Sequence, residues 1–310
     1  MIRDYVRIAR PDHWFKNVFM IPGGLLGWLS CPPERPMVAL VWAGVALVSA
    51  CLVCSSNYSI NECLDAAEDR QHPEKRFRPV AAGRVRRGGA YLQWFVLGAA
   101  GLALAWWVNR PFFLTAVALL VMGILYNVPP VRLKERPYID VLSEAINNPI
   151  RLLLGWYAVG CFLVPPASLL LAYWMLGSFL MAAKRFAELR HIEGKCDPKS
   201  YRKSFGYYNT ERLLTSLVFY TAAFAMFGGI FLIRYRVELI IGVPFIAGFM
   251  AMYLKLTFLE NSPAMNPEGL YRNRPFVVYT FVTAIILIAC LVIRVPWLSQ
   301  LFEATIPTEF

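Results

Sequence analysis

Asn57, Asn61, Asp65 and Asp69 recur every four residues, a spacing that stacks side chains along one face of an α-helix. Glu62 and Glu68 lie beside the stripe. Carboxylates drawn this close repel unless a cation joins them, and a hard divalent ion with oxygen ligands suits the set. Magnesium held by a few carboxylates fills its other positions with water and phosphate oxygens, so the stripe reads as one wall of a Mg-diphosphate site. Lys75, Arg76 and Arg78 follow closely and can meet phosphate charge, with Pro73 and Pro79 stiffening the loop that presents them. The plainer reading is a solvated helix end with basic flanks. It explains any single base, but not acids and bases together.

A second set lies between Tyr126 and Arg151. Asp140, Glu144, Asn147, Asn148 and Arg151 fall at offsets 0, 4, 7, 8 and 11, one helical face within an apolar run. Ionisable groups at such depth are expensive and face a bundle interior or a wet cavity. Pro149 removes one helical hydrogen bond, so a bend is expected beside the two asparagines. The plainer reading is an internal Glu144 to Arg151 pair that orders the helices.

Both sets need elements to carry them, and those elements cross a membrane. Of 310 residues, 58% are hydrophobic and only 16% charged, a combination rare in soluble domains. A spanning helix needs about 20 mostly apolar residues. Nine such runs lie near 17–31, 37–60, 89–108, 111–128, 139–164, 166–183, 213–233, 237–258 and 275–296, predicting an all-α integral membrane bundle with one domain over 1–310. The 31 Lys+Arg exceed the 20 Asp+Glu, but 25 of the 31 fall in the N-terminus and the loops after the even-numbered runs. That alternation is the positive-inside pattern and not a nucleic-acid surface. It places the N-terminus in the cytoplasm and the C-terminus on the opposite side of a plasma membrane. The basic loops, about 61–88, 129–138, 184–212 and 259–274, are where function is expected.

Other residue types say less. No cleavable leader is evident before the first run. The seven cysteines are scattered, so no disulfide framework is expected, and Cys51-x-x-Cys54 reads as helix packing. His13, His72 and His191 are too far apart to suggest a metal site; His72 is expected to shape the basic loop. Trp14, Trp106 and Trp107 sit at span ends, where aromatic belts form.

The first set resembles the first aspartate-rich motif, NDxxDxxxD, of the UbiA superfamily of intramembrane prenyltransferases. Asn61, Asp65 and Asp69 match it, and Glu62 stands where Asp is common. The resemblance runs from ARPDHWFKN (Ala9 to Asn17) to the ninth run. It implies nine transmembrane helices around a central cavity open to the cytoplasmic side and membrane, with two aspartate-rich motifs facing across Mg2+ and a diphosphate. Asp140, with Glu144 four residues on, is the match to the second motif. The ligand set so implied is Asn61, Asp65, Asp69 and Asp140, with Asp65, Asp69 and Asp140 central to catalysis.

Two transfer reactions share that metal clamp. In one, a prenyl diphosphate alkylates an aromatic acceptor; in the other, phosphoribosyl diphosphate donates its sugar to a polyprenyl phosphate. DRQHPEKRFRPVAAG (Asp69 to Gly83) resembles the form found in decaprenyl-phosphate phosphoribosyltransferases, as do AAKRFAEL (Ala182 to Leu189) and YRKSFGYY (Tyr201 to Tyr208). YNVPPVRLK (Tyr126 to Lys134) is similar instead to strings outside that branch. A donor with a 5-phosphate as well as a diphosphate needs more cationic contacts, and Lys184, Arg185, Arg202 and Lys203 add them on the cytoplasmic side. With Asn57, Lys75, Arg76, Arg78, Glu144, Asn148 and Arg151 they form the expected substrate-binding set. The expected partners are phosphoribosyl diphosphate and a membrane polyprenyl phosphate, with Mg2+ as cofactor. Aromatic prenyl transfer and a lipid-phosphate carrier are the competing functions, the carrier disfavoured because the acids and nearly all bases cluster inward.

Overall fold

In the computed structural model, which describes residues 2–71, 75–195 and 197–302, every regular element is a helix and no strand occurs among the described residues. His72, Pro73 and Cys196 lie outside the described residues. In chain order the α-helices are α1 (Ile2–Ala9), α2 (Ile21–Ser30), α3 (Pro36–Asp69), α4 (Arg87–Val108), α5 (Arg110–Asn127), α6 (Ile139–Ala145) and α7 (Asn147–Ala158). They continue as α8 (Ala167–Ile192), α9 (Pro198–Tyr201), α10 (Thr210–Tyr235), α11 (Val243–Thr257), α12 (Arg274–Val292) and α13 (Pro296–Leu301). Asparagines start three of the long ones: the side chains of Asn109, Asn209 and Asn273 accept from the N–H groups of Phe112, Arg212 and Phe276, satisfying donors a helix start leaves open.

Seven stretches are long and apolar enough to cross a membrane: α3, α4, α5, α8, α10, Val237–Thr257 and α12. The other two expected runs are interrupted. Residues 17–31 begin within a 3₁₀ segment, Pro11–Met20, before α2 starts. Residues 139–164 break at Ile146 between α6 and α7. The break follows from Pro149, which has no N–H to offer the Ala145 carbonyl one turn back. At 34 residues α3 is about 50 Å long, well beyond the roughly 30 Å hydrocarbon core. Its acidic end therefore projects past the apolar layer.

The chain divides into two compact units. The first comprises Met1–Pro165 with Asp197–Tyr207, the second Pro166–Cys196 with Tyr208–Phe310. In the first, Met20, Val53, Phe112, Leu119 and Leu154 centre the apolar core. Small residues let its helices touch closely, the usual contact between helices in lipid. Ser49 Oγ donates to the Gly101 carbonyl and Ser56 Oγ to the Trp94 carbonyl, each at 2.7 Å, joining α3 to α4. In the second, α8 packs along α10, and Arg185 and Phe186 are among its most deeply buried side chains.

One disulfide corrects the expectation drawn from scattered cysteines. Cys31, just past α2, is bonded to Cys161, just past α7, across 130 positions of sequence. Spacing could not reveal it, because the two become neighbours only once α2 and α7 pack. A thiol-reactive mass tag should label this pair only after reduction, and Cys161→Ser should lower stability by about 2–4 kcal/mol. Tagging of the pair in unreduced protein would contradict the bond.

Candidate functional site

The acidic end of α3 faces cations from three other segments of the first unit. Asp65 is held by Lys134 and by Arg132 at 3.1 Å. Arg132 also meets Glu68 at 2.9 Å and Glu135 at 2.6 Å. Asp69 is buried against Arg78 Nη1 at 2.7 Å. Lys203, from the Asp197–Tyr207 segment, bridges Glu68 at 3.0 Å and Glu135 at 2.9 Å. Next to it Arg202 approaches Asp140 at 3.5 Å, and Ser204 Oγ donates to the same carboxylate at 3.2 Å. Arg202 Nη2 donates to the Tyr126 hydroxyl at 3.0 Å, which donates to Glu144 at 3.1 Å.

Asp65, Glu68, Asp69, Glu135 and Asp140 are thus interlocked with Arg78, Arg132, Lys134, Arg202 and Lys203, and the charges balance. Burial pushes the Lys134 ammonium below its usual range, against the opposing pull of Asp65. Hydrogen bonds to Glu135 and Glu68 raise Lys203. Arg132 holds a left-handed backbone with φ 33°, a conformation rare without glycine. Two backbone devices fix the wall: Glu62 is buried and accepts the Val80 N–H at 3.1 Å, and Arg84 Nη2 donates to the Phe77 carbonyl at 2.8 Å. Glu62 therefore pins the basic loop onto α3.

Several expected residues sit elsewhere. Asn57 is turned onto α5, its amide donating to the Leu119 carbonyl at 2.9 Å. A step of four residues advances about 40° around a helix, so by Asn57 the predicted stripe has rotated about 120° from Asp69. The face that holds the wall is Tyr58, Glu62, Asp65 and Asp69. Asn61 and Asn148 are half-buried. Lys75 stands over the Tyr201 ring at 5.6 Å, and Arg76 lies exposed over Phe77. Arg151 is buried, with Nε donating to Asn17 Oδ1 at 3.2 Å. Asp140 is fully buried beneath Arg202 and Ser204 and does not stand open as a ligand. Lys184 and Arg185 belong to the second unit, where Glu188 meets them at 3.9 and 3.0 Å.

Sequence reasoning missed Arg132, Lys134, Glu135 and Tyr126, although YNVPPVRLKE places them within ten residues. It also missed Tyr58, whose aromatic character hid it in an apolar run. Among the described residues, no three His, Cys, Asp or Glu side chains gather as a metal site. The wall still fits Mg2+, which is commonly bound through one or two carboxylates plus substrate phosphates. Asp65 and Asp69 supply two from adjacent turns, and their present partners are long cationic side chains able to exchange a carboxylate for a phosphate.

The UbiA prenyltransferase family model matches residues 18–268. The chain belongs to the UbiA prenyltransferase family. Similar family members include the decaprenyl-phosphate phosphoribosyltransferase of Mycobacterium tuberculosis, 32% identical over 193 residues that cover 62% of this chain and 62% of that protein. The enzyme of the same name from Mycolicibacterium smegmatis is 30% identical over 194 residues, covering 62% of this chain and 59% of that one. The chain thus spans about three fifths of the length of these relatives. Among solved structures, a UbiA homolog from Archaeoglobus fulgidus bound to DMAPP and Mg2+ superposes with a TM-score of 0.69. That likeness, at 22% identity, covers 90% of this chain and 98% of that one and shows a UbiA fold.

Proposed function

We propose that the chain transfers 5-phosphoribose from phosphoribosyl diphosphate to a membrane polyprenyl phosphate, releasing diphosphate. The observation that carries the proposal is the reach of Arg202 and Lys203 onto the acid wall, which gives it more cations than a bare prenyl diphosphate requires. The names of the mycobacterial relatives point the same way.

The charge balance of the wall suits a ligand that brings a divalent cation and phosphates together. Asp65 and Asp69, with Asn61 beside them, would hold Mg2+, which when bound offsets the diphosphate charge and eases its departure. Lys134, Arg132 and Lys203, released from their carboxylates, donate to phosphate oxygens and stabilise the charge that grows as diphosphate leaves. Asp140 positions Arg202 for the same task. The acceptor is a phosphate monoester of charge near −2 at neutral pH, so the attacking oxygen needs no base to deprotonate it. The N-terminus is cytoplasmic in this scheme and the helices surround a cavity open to that side. The Cys31–Cys161 bond supports the orientation, since both residues lie at the ends assigned to the outer face, where disulfides persist.

Diphosphate release by purified protein with Mg2+ tests the choice of reaction. Phosphoribosyl diphosphate plus polyprenyl phosphate should give release, and prenyl diphosphate plus a hydroxybenzoate should not. Release only in the second mixture would overturn the proposal in favour of aromatic prenyl transfer.

A further inference from the structure

The first helix, α1, turns about 100° per residue and so presents three sides. Tyr5 and Ile8 face the bundle. Ile8 is buried with Cys63, Ala66, Val80 and Val85, Gln93 donates to the Tyr5 carbonyl at 2.9 Å, and the Tyr5 hydroxyl lies so close to Gly89 that an added Cβ would stand 2.1 Å from it. Ile2 and Val6, one turn apart, make an exposed apolar edge beside that face. Arg3 and Arg7, also one turn apart, come next around the helix and are exposed. An apolar edge against a basic one on the same helix is the division of a helix lying in a membrane interface, with aliphatic side chains among acyl chains and arginines at the head groups.

The start of α4 continues both edges. Arg86 and Arg87 are exposed at its beginning, and Tyr91, Leu92 and Phe95 are exposed apolar side chains on the turns that follow. In a helix apolar enough to cross the membrane, that change from arginine to aromatic and aliphatic marks the head-group level. α1 packs on α3 and α4 at the same level. Among the described residues Arg3, Arg7, Arg86 and Arg87 make no ion pair, and the carboxylate that reaches this surface is Asp4, taken by Arg84 at 3.0 Å. The surplus positive charge is complemented by the phosphate of an anionic lipid. A soluble anion would leave Ile2 and Val6 uncovered, whereas a phospholipid covers them with its chains and neutralises the arginines with its head group.

We propose that α1 and the start of α4 form a docking surface for an anionic phospholipid of the leaflet on the acid-wall side, and that the lipid held there braces the basic loop of the site. Two contacts carry the second half. Ile8 packs on Val80, whose N–H is held by Glu62 and which lies two residues from the Arg78 that grips Asp69. Arg84 joins Asp4 of α1 to the Phe77 carbonyl at 2.8 Å. Whatever fixes α1 therefore fixes residues 77–85, and Arg78 with them. The proposal goes beyond the choice of donor, since the loop faces the acid wall in either transfer reaction.

The purified full chain in neutral detergent is titrated with phosphatidylglycerol and, separately, with phosphatidylcholine, and the lipid retained is counted by native mass spectrometry. Wild type is compared with Arg3→Gln plus Arg7→Gln, with Arg86→Gln plus Arg87→Gln, and with Arg110→Gln, which changes an exposed arginine beyond the opposite end of α4. Size exclusion confirms folding, which the double variants should keep because their side chains lie off the packing face. Each double variant should bind phosphatidylglycerol about tenfold more weakly than wild type, with the difference narrowing as salt rises. Arg110→Gln should match wild type, and phosphatidylcholine should bind all four proteins alike. Hydrogen exchange over residues 77–85 should slow when phosphatidylglycerol is added to wild type and stay unchanged in the double variants. Wild-type phosphatidylglycerol binding by both double variants, or an equal loss in Arg110→Gln, would overturn the docking surface. Lipid binding that leaves exchange over 77–85 unchanged would overturn the brace. Neither readout involves turnover, so failure of the phosphoribosyl reading would leave this result to stand by itself.

Discussion

Asp65→Asn and Asp69→Asn should each lower turnover by about a hundredfold to a thousandfold while the protein stays folded. Asp65 is met by Arg132 and Lys134, and Asp69 by Arg78, so each carboxylate already sits among charges that a phosphorylated donor would rearrange. Asparagine keeps the shape and one acceptor oxygen for those cations, which limits the structural damage. It removes the charge that makes an oxygen ligand competitive for a divalent cation. Steady-state rates in saturating Mg2+, read beside thermal unfolding followed by size exclusion, separate the two effects. Wild-type rates in both variants would remove Asp65 and Asp69 from the site.

Gly155→Val should unfold or misassemble the first unit. A Cβ at Gly155 would lie 1.9 Å from the Met20 carbonyl oxygen, and one at Gly23 the same distance from the Leu152 carbonyl oxygen. Both obstacles are backbone, so no rotamer change relieves them; α2 and α7 must part. Overpacking of this kind costs about 3 kcal/mol, and it would draw the 3₁₀ segment, with Asn17, away from Arg151 of α7. Gly228→Ala is the matched control, since a Cβ there meets nothing within 4 Å. The fraction of monodisperse protein after a heating series should fall sharply for Gly155→Val and stay at wild-type values for Gly228→Ala. Equal behaviour of the two would contradict the close crossing.

Much of the architecture was legible because hydropathy and charge act locally. The long apolar runs became helices, and the acids of α3 were found from their spacing alone. Where the sequence misled, the cause is geometric. A four-residue repeat drifts around a helix, which recruited Asn57 to the acid face, left Glu62 beside the stripe instead of on it, and passed over Tyr58. The pairing of Asp65 with Lys134 spans 69 positions, and Cys31 with Cys161 spans 130; neither leaves a local mark. Asp140 was picked out correctly as a buried acid, but the partners that close over it, Arg202 and Ser204, come from a distant segment. Arg10, His13 and Lys16, which meet at the Tyr58 ring, were not read together, because on an α-helix a spacing of three fans successive side chains by about 60° a step. It becomes a single edge only when the backbone winds as 3₁₀.

The central claim is that the ribosyl group, not a prenyl group, moves. Purified protein reconstituted with Mg2+, polyprenyl phosphate and phosphoribosyl diphosphate labelled in the ribose tests it directly, by following label into the organic-soluble lipid alongside diphosphate in water. Label and diphosphate should appear in equal amounts, and neither should appear with Asp69→Asn. Diphosphate without labelled lipid, or labelled lipid formed equally well by Asp69→Asn, would contradict the account.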